Sequence, residues 1–284
     1  MRRIIFCFVL SSFLAPIAFG QKKLLKDIPG VVSYTYRDDL AKDVPGTLDK
    51  IKSLGITNME FSGLFKKTPE ELRALLDARG MRCTSIGVGY GDLDKHMDKV
   101  IAQAKALGAE FVRIGSIPHP GDFKDLHADV VKQAAIDFNK FGKTLAENGL
   151  TFCYHNHGPE FKPAGDLGDG LLFDYLIKNT DPKYVSFEMD VMWVYWPGQD
   201  PVALLQKYPD RFKLMHVKNV KKGLERGGPA TFVAVGEGQI DMEAVLKAAR
   251  KTKIKYYYIE DESKPEFIDA QMPVSMKYLE GLTR

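Results

Sequence analysis

The stretch LAENGLTFCYHNH, residues 145–157, contains the unit from which most of the chain is built. LAEN reads as the last turn of an amphipathic helix, Gly149 as the residue just past its end, and LTFCYH as a short apolar strand. A helix stops cleanly where one residue takes a left-handed backbone, and glycine does so without steric cost. The same helix–glycine–strand unit recurs as IKSLGITNMEF (51–61), LLDARGMRCTSIGV (75–88) and AKALGAEFVRI (104–114). Gly55, Gly80 and Gly108 hold the equivalent place. Strands alternating with helices imply βαβ units and a parallel sheet.

Extending the reading outward predicts strands at 31–36, 58–61, 83–88, 111–114, 151–155, 185–189, 214–217 and 256–260. Helices fall between them, and a last helix covers 266–282. Thr68-Pro69-Glu70-Glu71 is a helix start, with a capping Thr, Pro at the first helical position and acids in the first turn. Residues 251–255, KTKIK, depart from the pattern because they lack a glycine turn. Eight strands and eight helices in this length point to an α/β fold, a (β/α)8 TIM barrel. No linker-like stretch divides the chain, so residues 21–284 read as one catalytic domain. The irregular segments 116–126, 158–167 and 219–239 all follow strands, on the face where such barrels keep their sites. Gly223, Gly227, Gly228 and Pro229 mark the third of them as mobile.

Residues 1–20 read as an export signal rather than as part of the fold. Arg2 and Arg3 precede an apolar run from Ile4 to Phe19, and Ala18-Phe19-Gly20 is a small-x-small cleavage site. Ser11, Ser12 and Pro16 interrupt the run, which is short for a membrane span. A soluble periplasmic or secreted bacterial protein is expected, with no membrane attachment after cleavage. Losing Arg2 and Arg3 and no acid lowers the formal net charge from +3 to +1. Such a chain lacks the broad basic field that nucleic-acid binding requires. Cys83 and Cys153 remain, in strands that are not expected to be neighbours, so two buried free thiols are expected in place of a disulfide.

Charged and imidazole side chains gather where the later strands end: His155 and His157, Glu188 and Asp190, His216 and Lys218, Glu260 and Glu262, with Glu60 earlier. Side chains two apart share a strand face, so one member of each pair lines the barrel mouth and the next rises above it. Ionised groups at the mouth of a packed core are costly unless paired or bound to metal. Strand ends converge in a barrel, so two His, an Asp and a Glu from four successive strands suit one divalent cation: Mn, Co, Zn, Mg or Ni. Lys218 suits an enolate oxygen. Arg37 and His119 are candidates for substrate hydroxyls. Trp193, with Tyr195 and Trp196, offers apolar rings to a sugar face. Glu60 suits the pocket floor or a bridge to a basic neighbour.

These motifs carry a resemblance. YTYRDD, YHNHGPEF, FEMDVMW, MHVKN, VGEGQIDM and YIEDE, in this order, resemble the sugar phosphate isomerase/epimerase superfamily with its xylose isomerase-like barrel. The resemblance spans essentially the whole chain after residue 20 and implies a metal held by Asp190, His216 and Glu260. The strand-five ligand of that superfamily is usually a Glu, and His155 stands in its place here. In its epimerases the strand-five and strand-eight glutamates act on opposite faces of the substrate, so a two-carboxylate mechanism would need Glu160 as a substitute. In related enzymes that eliminate from 3-keto glycosides or dehydrate keto-inositols, the histidine two residues further on is the base, and it corresponds to His157. The expected function is a metal-dependent carbohydrate enzyme acting through an enediolate, of isomerase/epimerase type. A 3-keto-glycoside lyase or hydratase is the alternative, and a non-catalytic sugar-binding barrel a second one. A nuclease of the endonuclease-IV type shares the barrel but needs a basic groove. The oligomeric state is left open.

Overall fold

The computed structural model describes residues 24–119, 121 and 126–283. The expected export signal, residues 1–20, lies outside the described residues. Eight parallel strands close into a barrel: β1 (Gly30–Val32), β2 (Asn58–Phe61), β3 (Arg82–Gly87), β4 (Phe111–Ile114), β5 (Thr151–His155), β6 (Val185–Asp190), β7 (Phe212–Val217) and β8 (Tyr256–Ile259). Each pairs with the next, and β8 closes on β1 with Val31 opposite Ile259. Helices cover the outside, from Val44–Ser53 to Pro265–Thr283. The expected α/β barrel is therefore the observed fold.

Local chemistry explains the elements. Thr68 accepts from the Glu71 amide at 3.2 Å, and the Glu71 carboxylate accepts from the Thr68 amide at 2.7 Å, with Pro69 at the first helical position. This reciprocal cap satisfies two backbone donors that the first turn leaves free. Gly55, Gly80, Gly108 and Gly149 have φ of 83°, 62°, 76° and 77°, the left-handed backbone their positions require. Helix Ala128–Glu147 buries Val131, Ala134, Ala135, Phe138, Phe141 and Leu145, one stripe at helical spacing. Phe138 packs against Phe152 of β5 with tilted rings, centroids 5.1 Å apart. Each such ring contributes roughly 1.5–3 kcal/mol through burial.

β1 is shorter than the predicted strand 31–36. It ends at Val32, and Ser33–Tyr36 forms a 3₁₀ turn. The hydroxyls there replace sheet pairing: Ser33 Oγ accepts from the Ser62 amide (2.9 Å) and Thr35 Oγ from the Asp261 amide (3.0 Å). The chain thus bends across the barrel rim. Cys83 and Cys153 are buried free thiols, with β4 between their strands.

The barrel interior is layered. Val32, Phe111, Cys153, Leu214 and Tyr258 pack together as an apolar layer. Two residues further along, the same strand faces carry Arg113, His155, His216 and Glu260, and two more bring His157 and Lys218. Register fixes their levels: His155 lies opposite Glu188, and Asp190 opposite His216.

The segment after β7 is stapled by one side chain. Buried Asn219 donates to the carbonyls of Val235 (2.7 Å) and Ile240 (3.1 Å), and its Oδ1 accepts from the Val220 and Ile240 amides. A Cβ on Gly238 would lie 2.0 Å from Asn219 Oδ1. We expect Gly238→Ala to cost about 2–3 kcal/mol in urea unfolding, because Asn219 must move and leave buried carbonyls without donors. An unchanged midpoint would show that the staple is dispensable.

Candidate active site

The charged side chains at the ends of β2 and β4–β8 form one buried cluster. The Arg113 Nε lies 2.8 Å from Glu60 Oε1 and 3.3 Å from Glu188 Oε2. His216 faces two ways. Its Nε2 is 2.9 Å from Glu60 and 3.2 Å from Glu188; its Nδ1 is 3.2 Å from Glu260 and 3.8 Å from Asp190. His155 Nδ1 lies 3.1 Å from Glu188 Oε2. Lys218 Nζ donates to Glu260 (3.1 Å) and to Glu262, and lies 3.7 Å from Asp190.

The electrostatics favour a bound cation. Glu60, Glu188, Asp190 and Glu260 are buried, while Arg113 and Lys218 supply two fixed positive charges. Three carboxylate oxygens, Glu60 Oε2, Glu188 Oε1 and Asp190 Oδ2, are buried without a hydrogen-bond partner. Buried carboxylate oxygens without a hydrogen bond are costly, and a divalent ion would offset that cost. His155, Asp190 and His216 bring one ligand atom each within 4.8 Å of one another, as do Glu60, Glu188 and His216. In the second group the Arg113 guanidinium already sits on both carboxylates. The first group, with Glu260 beside it, is the better fit for a metal. Glu188 then holds the His155 ring by its other nitrogen, an arrangement typical of histidine ligands.

Burial raises Glu188 to about 7, helped by the charge on Glu60. Burial likewise raises Asp190 to about 7, against the pull of Lys218. For Glu60 burial is outweighed by Arg113 and His216, which hold it at about 2. His216 is raised well above an ordinary histidine by Glu188, Glu260 and Glu60, despite burial. A carboxylate must lose its proton to bind metal, so below pH 7 protons compete for Asp190. We expect metal affinity, read by calorimetry, to rise with pH by about tenfold per unit for each proton displaced, and to go on rising above 7 because the raised His216 must also lose its proton to become a ligand. A flat profile from pH 5.5 to 8 would remove Asp190 from the ligand set.

A family model described as xylose isomerase-like TIM barrel matches residues 48–280. The chain belongs to that family. An inosose dehydratase of Klebsiella pneumoniae is 26% identical over 228 residues, 68% of this chain and 73% of the relative. Among solved structures, a sugar phosphate isomerase/epimerase from Parabacteroides distasonis superposes with a TM-score of 0.75 at 23% identity, covering 90% of this chain and 99% of that one. The IolI protein, solved with a bound zinc atom, superposes at 0.67 with 13% identity, covering 89% and 95%.

Within this xylose isomerase-like barrel the predicted residues separate into two sets. His155, Asp190, His216, Glu260, Lys218 and Glu60 meet in the cluster, and Glu60 bridges to a basic neighbour, Arg113. His157 stands just above, its ring 4.6 Å from His155 and 5.7 Å from Trp193. Trp193 also lies under Lys218 Nζ at 5.4 Å. Glu160, Arg37 and His119 stand apart. The Glu160 carboxylate accepts from the Tyr154 hydroxyl and, at 3.1 Å, from the His157 amide. Tyr154 faces the helix layer, 4.9 Å from Phe138, so Glu160 is turned away from the barrel mouth. Arg37 lies on the Tyr34 ring at 4.6 Å, and His119 Nδ1 is 2.7 Å from the Ile117 carbonyl. The aromatic wall reduces to Trp193: Trp196 is buried and donates to the Gly228 carbonyl, and Tyr195 packs under Arg226. Of the cluster, Arg113 escaped prediction, and Glu188 was placed among the strand-end charges without a role. A charged residue inside the apolar run AEFVRI was the signal for the first.

Proposed function

We propose that the protein is a metal-dependent enzyme that removes a proton next to the carbonyl of a keto-carbohydrate and then eliminates a β-substituent, as a dehydratase or lyase. The observation that carries this reading is the orientation of Glu160. With that carboxylate turned away, the base on the β5 side of the mouth is His157. The inosose dehydratase relative and the isomerase/epimerase neighbour both point to sugar-like substrates. The intact, charge-unbalanced ligand set weighs against a binding-only barrel.

Residues His155, Asp190, His216 and Glu260 would hold the divalent ion. When bound, it supplies Lewis-acid polarisation of the ketone, which acidifies the adjacent C–H. Burial and the charge of Lys218 lower His157 to about 3, so its ring is neutral before substrate binds. Negative charge growing on the substrate restores its basicity, because an opposite charge nearby favours the protonated form. An imidazole nitrogen of His157 takes the proton, and the C–H electron pair becomes the enolate double bond. Lys218 stabilises the enolate oxygen. Collapse of the enolate expels the β-oxygen, which takes the proton back from His157 and leaves as water or an alcohol. The products are then an enone and that leaving group, and atoms and charge balance.

The Lys218–Glu260 pair favours a second reading. It stands on the β7–β8 side of the mouth, whereas His157 follows β5, and reprotonation from there would give an epimer or isomer instead. Product analysis separates the two. With Mn2+-loaded protein and 3-keto glycosides, the elimination reading predicts enone absorption and released alcohol. A product of unchanged mass with inverted stereochemistry would establish the isomerase/epimerase reading.

Export to the periplasm is proposed from residues 1–20 and supports free keto-sugars over sugar phosphates, which are mainly cytoplasmic. Cell fractionation with N-terminal sequencing tests it, with Gln21 as the expected first residue.

A further inference from the structure

We propose that the cleft beside Arg113 is a second subsite, holding the neighbouring ring of a neutral glycoside while the keto ring sits over the cluster; this rests on the keto-carbohydrate reading above. The cleft has a volume of about 490 Å3 and opens at the ends of β2 and β3. That is within the ~300–1,000 Å3 range of small-molecule sites.

Its inner wall is Arg113, which is only 9% exposed and is anchored through Nε by Glu60 and Glu188. The rest of the guanidinium is thereby aimed past the cluster: a Cβ built on Gly87 would meet Nη2 at 2.9 Å, and one on Gly115 would meet Nη1 at 3.0 Å. Gly115 also lies 3.7 Å, by the same construction, from the rings of His155 and His157. Arg113 therefore spans from the cleft to the reaction centre, so a ligand over His157 and a ligand in the cleft are neighbours. The absence of side chains at Gly63 and Gly87 keeps the passage clear.

The lining selects a hydroxylated, uncharged group. Asp92, His96, Lys99 and Gln103 present acceptors and donors together. The buried cation of this lining, Arg113, is already matched by two carboxylates, which leaves little net positive charge for an anion. Sugar hydroxyls both donate and accept, and they match such a mixed surface.

Gly63 allows a clean test, because its backbone is not left-handed and a Cβ there meets nothing within 4 Å. Gly63→Phe should fill the cleft without disturbing the fold. Compare a 3-keto disaccharide with the matching 3-keto monosaccharide, by turnover and by calorimetric binding to metal-loaded protein. The subsite predicts tighter binding and higher kcat/KM for the disaccharide, and a loss of about tenfold or more for it alone in Gly63→Phe. Equal values for both substrates, or equal losses in the variant, would overturn the subsite. If neither turns over but the binding difference exists and Gly63→Phe erases it, the subsite stands and the proposed reaction falls.

Discussion

His216→Ala is expected to weaken divalent-metal binding at least about 100-fold and to lower kcat/KM on the order of 1,000-fold or more. Among the described residues and the ion pairs of the cluster, His216 reaches the most members: Glu60 and Glu188 through Nε2, Glu260 and Asp190 through Nδ1. Its loss removes a ligand and also leaves those carboxylates facing one another with one fewer positive partner. Breaking such a buried ionic group costs about 3–5 kcal/mol, so the midpoint of thermal unfolding should fall as well. Asp190→Asn separates the two effects, because it keeps volume and removes only charge. It should lose metal, measured by mass spectrometry of the dialysed protein, while keeping the unfolding midpoint near that of the metal-free parent. Full metal content in both variants would mean that the ion, if one binds, binds elsewhere.

The second large effect concerns the base. His157→Ala should lower kcat about 100- to 10,000-fold while leaving metal content unchanged within about twofold. The ring sits above the ligand atoms and packs on Trp193 and His155, and it is only partly buried, so the fold should tolerate its loss. Glu160→Gln is the control. An amide oxygen still accepts from the Tyr154 hydroxyl or the His157 amide, so the loop is held and kcat should fall less than about tenfold. A loss in Glu160→Gln as deep as that in His157→Ala would assign the proton transfer to Glu160 and favour the two-carboxylate mechanism.

How far the sequence foretold this depends on the kind of information each residue carries. Gly55, Gly80, Gly108 and Gly149 mark helix ends because a left-handed backbone is a local demand, visible without tertiary context. The barrel follows from that repetition. Pairs two apart at strand ends, such as His155 with His157 and Glu188 with Asp190, were legible as sharing a face, because the strand period is fixed. Depth was not legible. Glu188 lies level with His155 and supports its ring, whereas Asp190 lies level with His216, and that assignment depends on the register between β5, β6 and β7, with a shift between Phe187 and Glu188. Arg113 was missed as a site residue because a mid-strand arginine is ordinarily read as exposed. Here the inward face of β4 meets Glu60 and Glu188. Glu160 shows the opposite limit: once the strand has ended at His155, periodicity no longer says where a side chain points. β1 was predicted too long for a related reason, since Ser33 and Thr35 exchange sheet pairing for hydroxyl contacts with Ser62 and Asp261, residues far away in sequence.

The central claim is that this cluster uses a divalent ion and a neighbouring base to take a proton from carbon beside a carbonyl. Proton exchange followed by NMR in D2O tests it most directly, with Mn2+-loaded protein and a panel of keto-sugars and 3-keto glycosides, the signals being read after the metal is removed. Deuterium appearing next to the carbonyl, lost on addition of EDTA and lost in His157→Ala, is the predicted result. A protein that binds the metal and every candidate sugar yet exchanges no proton with any of them would contradict it.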